Sequence, residues 1–539
     1  MNRIPRTARA VSTRLSAYRG CPGLLARARS FHAAASASRS FLSSLLQTAK
    51  SNNPVTDQWY GQPTHETHPE LVGSSEVTHG VAKSEYEARR QRLMRDMPPG
   101  STLLLFSSRM YFVSPHVFHS FRQDADFFYL TGWNEPDSVA VIEKSATASR
   151  GYTMVMFVNA KDPKKEVWEG PRNGIEAAVS LFGADEARPV AEFAKYARKL
   201  TSKLQDRGSK GNGAYIYADL DGEHGLLRSK ECDALKAQLK RENLGSHVRQ
   251  LSPLVQQLRL IKSSAEIQLM REAGRISAHG FGQIMQACRP GLCEATLQTV
   301  FEHATRMALV SQGEDGSVAD RSALSRPAYV PVFASGEHAL CMHYVQNSGP
   351  VKDGDLILVD AGAEYAAYAS DITRTFPVNG RFSQPQRDLY SALLSVHEQM
   401  IKLCHVGSGY SLNEIHRRST KVLATELKQI GLHVSDHDID EQLFPHHIGH
   451  YLGMDVHDTV DINRSQRLKQ NMVVTIEPGV YVPYDSKFPK AFQGIGIRIE
   501  DDIVVGQTEA DIENLTARAP RSVEDIEACM ESNSYRFKL

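Results

Sequence analysis

Residues 356–377, LILVDAGAEYAAYASDITRTFP, constrain the fold of this chain more than any other stretch. Two β-branched apolar runs, Leu356-Ile357-Leu358-Val359 and Ile372-Thr373-Arg374-Thr375-Phe376, flank a short Gly/Ala/Tyr segment. That is the pattern of an antiparallel hairpin, turning near Tyr365-Ala366. The first run ends on Asp360 and the second follows Asp371. A carboxylate buried in such a segment is costly unless something pairs with it. The hairpin sets the two aspartates opposite each other, where like charges repel. A metal ion between them would turn that repulsion into attraction. The alternative is a pair of hydrogen-bonded turn aspartates, and this stretch alone leaves both open.

The same device recurs downstream. Glu477 ends the strand-like run VVTI, and Glu500 ends GIGIRI. In the second run Ile495, Ile497 and Ile499 face one way, while Gly496, Arg498 and Glu500 face the other. Residues 446–458, HHIGHYLGMDVHD, hold four histidines in twelve positions. They are not a zincin helix, because HExxH needs glutamate after the first histidine. One histidine in such a stretch is ordinarily structural; four beside two glycines point to a metal or acid/base role for at least one. Asp360, Asp371, Glu477, Glu500 and His450 together make an oxygen-rich set whose four negative charges would neutralise two divalent ions. Hard ligands favour manganese, cobalt or zinc with open positions. Two such ions together polarise a carbonyl and generate a nucleophile, which points to hydrolysis.

At 539 residues the chain is too long for one ordinary core, so two domains and a tail are expected. The first 56 residues hold eight Arg and Lys50 but no Asp or Glu, with much Ser and Ala. That is the composition of a mitochondrial transit peptide, with Arg29-Ser30-Phe31-His32 and Arg39-Ser40-Phe41 as processing sites; the alternative is a disordered basic tail that binds nucleic acid. Without these nine cations, 53 of the 62 basic residues remain against 62 acidic ones, so the mature body is mildly acidic and unsuited to nucleic acid. Seven scattered cysteines form no CxxC pair, which excludes a disulfide framework and a thiolate zinc site. No run of about 18 apolar residues is present to span a membrane.

Residues 57–80 read as a polar linker and 81–250 as an α/β domain. Within that domain a helix starts near Ser84 and strands cover 101–106, 153–158 and 216–220. Residues 121–142 read as strand, turn, strand, and 161–168 as a charged loop. Residues 251–539 form the second domain. Ser263-Ser264-Ala265-Glu266 caps a long helix; strands then alternate with helices over 386–404 and 412–430. SVEDIEACM reads as a short surface helix.

Five segments in order, FRQDADFFYLTGWNEPDSV, VDAGAEYAAYASDITRTFPV, HHIGHYLGMDVHD, TIEPGVYV and GIGIRIEDD, resemble the aminopeptidase P group of pita-bread metallopeptidases. The resemblance covers nearly everything after residue 80, and the transit-like start narrows it to the mitochondrial branch of intermediate-cleaving peptidases and Xaa-Pro aminopeptidases. It implies an N-terminal α/β domain followed by a pita-bread catalytic domain, an α/β (α+β) fold. It implies two divalent metals, usually manganese, held by Asp360, Asp371, His450, Glu477 and Glu500, with Asp371 and Glu500 bridging. Glu477 would also shuttle a proton, and His457 would bind the substrate carbonyl. His343 and His446 would line the site, and Arg498 would orient carboxylates. His447 departs from the family, where many relatives have glycine, and bears on substrate preference. The implied activity is hydrolytic removal of one N-terminal residue from peptides or proteins, trimming imported mitochondrial proteins. The alternatives are a general Xaa-Pro aminopeptidase, a prolidase, or a catalytically dead binding module. The implied setting is the matrix, with peripheral inner-membrane association and a homodimer.

Overall fold

Alternating apolar strands and amphipathic helices give the first half a six-stranded mixed sheet. The computed structural model describes residues 60–208, 215–220, 229–313, 315 and 317–532, so the expected transit peptide lies outside the described residues. The sheet order is Val248–Arg249, Ile216–Tyr217, Thr102–Phe106, Val139–Lys144, Tyr152–Val158, Glu186–Pro189. Its central pairs are antiparallel and its outer pairs parallel. Both faces are covered, which is why its strands read as continuous apolar runs. Leu103, Leu105 and Ile142 pack with the helices Lys83–Arg95 and Ala125–Thr131; Leu104, Val139 and Val141 pack with Phe193–Gly208 and Lys230–Arg241.

Three expectations for this half are corrected. Residues 121–142 are not strand, turn, strand: Ala125–Thr131 is a helix, and only Val139–Lys144 is a strand. Asp124 caps that helix by accepting from Phe127 N at 2.8 Å, and Gly132 ends it in the left-handed region at φ 70°. All seven helical residues are buried, so capping and packing override the β propensity of Phe127, Phe128 and Tyr129. Residues 161–168 are largely helical as well, in Pro163–Glu169, with Asp162 as cap and proline in the first turn. From Tyr60 onward the expected linker is folded: Glu76–Thr78 pairs with Val81–Ala82, and Leu71, Val72 and Val77 are buried.

The second half opens as its capping residues dictate. Ser263 Oγ accepts Glu266 N, Glu266 returns a bond to Ser263 N, and the helix runs Ser264–Ala287. It packs on Glu294–Met307, while Gln384–Ile401 packs on Leu412–Gln429. These helices back three-stranded sheets ordered Val332–Ser335, Leu356–Asp360, Thr373–Pro377 and Val473–Ile476, Asp501–Val504, Glu513–Asn514, and the pair Gly479–Tyr481, Gly496–Arg498. The last helix, Val523–Glu531, is docked more firmly than a surface helix: Val523, Ile526 and Met530 are buried against the core. One apolar cluster joins Leu103, Phe127 and Trp133 to Ile276, Tyr365 and Leu452, so the described residues from Tyr60 onward form one compact unit. Among the described residues no helix is long and apolar enough to cross a membrane.

Candidate metal centre

The hairpin forms, with one change of register. Asp360 lies opposite Thr373, and the same register carries through Tyr365 opposite Tyr368. Asp371 therefore sits two positions along from Asp360's partner, and the aspartates are diagonal neighbours on one face rather than directly opposed. The turn falls on Ala366 and Ala367, both left-handed at φ 47° and 71°. Tyr329 Oη bridges the pair, 2.6 Å from Asp360 Oδ1 and 2.6 Å from Asp371 Oδ1. One phenolic proton cannot serve two ionised carboxylates at once.

Thr373 ties the hairpin to the strand Gly496–Arg498 and to Glu500 just beyond it. Its hydroxyl donates to Glu500 Oε2 at 2.6 Å and accepts from Arg498 Nε at 3.1 Å. Arg498 reaches Asp360 Oδ2 at 2.5 Å and Tyr481 Oη at 2.7 Å. His450 is aimed by its neighbours. Its backbone N donates to Thr475 Oγ1, and its Nδ1 lies 3.1 Å from Tyr451 O. A ring that donates Nδ1–H to a carbonyl keeps Nε2 as the electron-pair donor, the tautomer a metal needs. That Nε2 points at Asp371 Oδ2 (3.4 Å) and Glu477 Oε1 (3.7 Å). Glu477 Oε2 also lies 3.7 Å from His446 Nδ1, and His446 Nε2 is 3.0 Å from Tyr481 Oη. His457 is exposed, edge-on to His450 at 4.5 Å. His343 is exposed, within electrostatic reach of His457.

Gly449 makes the approach of the histidine loop to Val473–Ile476 possible: a Cβ there would stand 1.9 Å from Thr475 O. Gly449→Ala is expected to displace His450 and cost about 1–3 kcal/mol through overpacking. A lower Tm together with lower kcat checks this; wild-type values for both would contradict it.

The electrostatics show four carboxylates competing for too few cations. Burial, then the neighbouring carboxylates, push Glu500 well above its usual range. Burial, against the pull of His450 and Arg498, raises Glu477 to about 7. Asp360 is raised by burial despite Arg498. Burial pushes Asp371 up, but its hydrogen bond and charge attraction to His450, with Tyr329 and His457, together lower it, and the contact with Asp371 helps raise His450 against its own burial. Burial, then the Arg498 charge, lowers His446 to about 3, so it is a neutral ring; burial also lowers His457. Asp371, His450 and Glu500 offer donor atoms all within 4.8 Å of one another. The shared phenolic proton, the His450 tautomer and the surplus negative charge all fit a divalent cation.

The pattern in the sequence missed four residues. Tyr329, Thr373 and Tyr481 carry no ligand signature, since their role is a hydroxyl aimed by the fold. Asp502 had a signal, as a second acid beside Asp501. It is fully buried, accepts Asp371 N at 3.1 Å, and is held well above its usual range by burial and Asp371.

A histidine and a cluster of carboxylates offered from strand ends, in a chain that also carries an N-terminal α/β domain, define a metal-dependent hydrolase. Residues 268–507 match the description "Metallopeptidase family M24", and residues 86–207 match "Aminopeptidase P, N-terminal domain". The chain belongs to this family, in its aminopeptidase P group, with the N-terminal domain followed by the pita-bread catalytic domain; it is a metallo-aminopeptidase. Among relatives, Intermediate cleaving peptidase 55 of Saccharomyces cerevisiae is 37% identical over 482 residues, 88% of this chain and 89% of that protein. Xaa-Pro aminopeptidase 3 of Homo sapiens is 37% identical over 489 residues, 88% of this chain and 91% of that protein. The crystal structure of Saccharomyces cerevisiae Icp55 lacking 58 N-terminal residues aligns with TM-score 0.74 at 34% identity, covering 85% of this chain and 100% of that one. Zinc-substituted Escherichia coli aminopeptidase P in complex with product aligns with TM-score 0.71 at 34% identity, again 85% and 100%.

Proposed function

We propose that this chain is a dinuclear aminopeptidase that removes a single residue from the N-terminus of peptides and proteins. The observation that carries the reading is the clustering of Asp371, His450 and Glu500 donor atoms within 4.8 Å of one another, with Asp360 joined to Asp371 through Tyr329 and Glu477 set 3.7 Å from His450. These five would hold two divalent ions, manganese foremost, with cobalt or zinc as alternatives and Asp371 and Glu500 shared. When bound, the ions supply Lewis-acid polarisation of the scissile carbonyl and a nucleophile at neutral pH.

The chain's own groups do the rest. Glu477, set 3.7 Å from His446 and His450, takes a proton from the attacking water and returns it to the leaving nitrogen. His457 donates to the developing oxyanion. His446 and His343 line the substrate side, and Arg498 fixes Asp360 and Tyr481. Residues 81–250 form the domain that shapes the entrance, and 251–539 the catalytic domain.

The physiological substrate we propose is the set of imported mitochondrial proteins, trimmed in the matrix after presequence cleavage. The acid-free, Arg-rich start supports this, as do relatives named intermediate cleaving peptidase, one of them called mitochondrial. A homodimer, peripheral to the inner membrane, completes the proposal. A second reading, a general Xaa-Pro aminopeptidase, is favoured by relatives of that name with equal identity. Comparing matrix-protein N-termini with and without the chain separates the two. Precursors one residue longer in its absence support trimming. Unchanged N-termini, with Xaa-Pro peptides still cleaved by the purified protein, support the general peptidase.

A further inference from the structure

We infer that a buried ionic cluster, Arg259–Asp458–Lys262 closed by Asp126 and Asp455, is the positioning device for His457. The inference rests on the proposed role of His457 at the substrate carbonyl.

The imidazole of His457 has no side-chain hydrogen bond among the described residues; its one ring contact is the edge-on approach to His450. Its direction is therefore set by the backbone on either side, and both flanks are tied by charge. Asp458 follows it directly. The Asp458 carboxylate accepts from Arg259 Nη2 through Oδ1 and from Lys262 Nζ at 3.2 Å through Oδ2. The side chains of Asp458 and Lys262 are each 1% exposed and that of Arg259 5%. Asp455, two residues before His457, accepts from Arg259 Nη2 at 2.7 Å and from Arg122 Nη1 at 2.9 Å. Arg259 Nη1 reaches Asp126 at 2.6 Å, and Arg122 continues to Glu364 on the metal hairpin at 3.0 Å. Arg122 and Asp126 belong to the N-terminal half, so that half helps to hold the loop around His457.

Two further observations show a loop held rather than relaxed. Thr459, a β-branched residue, sits in the left-handed region at φ 49°, and its buried hydroxyl has no hydrogen-bond partner. Gly453 makes room for the cluster, since a Cβ there would lie 2.5 Å from Asp458 Oδ2. Beside the loop is a cavity of about 270 Å³, lined by Arg259, Asp455, His457 and Thr459. Apolar packing does not press the loop into place on that side, so the ion pairs carry the load.

The test is a double-mutant cycle on the metal-loaded enzyme, with one N-terminal peptide substrate. The charge-balanced pair Lys262→Met/Asp458→Asn leaves Arg259 with Asp126 and Asp455. Asp455→Asn, at a partly exposed site, is an independent second probe. Each is measured alone and combined with His457→Ala, and Tm is recorded for all. Misplacing the imidazole is expected to lower kcat about 10- to 100-fold with little change in KM. Added to His457→Ala, the same substitutions should cost nothing further. Losses that multiply with that of His457→Ala, or no loss at all, would overturn the inference and leave the proposed peptidase activity standing. Full activity in His457→Ala alone would instead remove the role on which the inference rests.

Discussion

Glu477→Ala is expected to lower kcat about 10²- to 10⁴-fold, the range for loss of a positioned acid–base group, with Tm close to wild type. The two halves of this result have separate causes. Catalytically, Glu477 is the carboxyl placed beside His446 and His450 to carry a proton between the attacking water and the leaving nitrogen. Structurally, its side chain makes only 3.7 Å contacts with His446 and His450 and is 17% exposed. The position itself is fixed by the backbone, through Glu477 N to Ile448 O at 2.8 Å, and alanine keeps that bond. Removing a carboxylate from an over-acidic pocket also relieves repulsion. Arg498→Ala makes the contrast: it strips partners from Asp360, Tyr481 and Thr373 and should lower Tm as well as activity. Near-normal kcat in Glu477→Ala, measured on metal-reconstituted protein, would sink the assignment of Glu477 as proton carrier.

The site could be read from the sequence where strand ends carry charge, because alternation fixes which face a carboxylate shares. Arg498 and Glu500 were assigned to one face by period two, and both do meet Thr373. Register could not be read so finely. The exchange of Asp371 for Thr373 opposite Asp360 is a two-residue shift that leaves the face unchanged, so hydropathy is blind to it. The N-terminal half was misread where capping beat β propensity, at Asp124, and where a capped, proline-started helix was read as a charged loop, at Asp162. Its link to the catalytic loop was invisible for another reason. Arg122 and Asp126 meet Asp455 and Arg259 only across more than a hundred residues of chain, and no local pattern encodes such a meeting.

Removal of the divalent cations is expected to abolish activity and to destabilise the protein more at pH 8 than at pH 5. In the cation-free pocket Glu477 titrates at about 7 against an ordinary 4.5, and Glu500 is held well above its usual range. A carboxyl raised on folding binds more protons in the native state than in the unfolded state. Its favourable contribution is fully present below the unfolded pKa and is lost as pH rises through the folded value. For Glu477 that window runs from about 4.5 to 7, worth on the order of a few kcal/mol; Glu500 acts in the same direction. Bound cations compete with those protons and reverse the trend, adding about 3–4 kcal/mol at 100 to 1,000 times Kd. The Tm difference between loaded and chelated protein should therefore widen with pH. Chelation should also reduce hydrogen-exchange protection in residues 356–377, where Tyr329 is left with one proton for Asp360 and Asp371. A pH-independent Tm difference, with protection of the hairpin unchanged on chelation, would mean that hydrogen bonds alone hold the two aspartates and that no cation is needed to reconcile them.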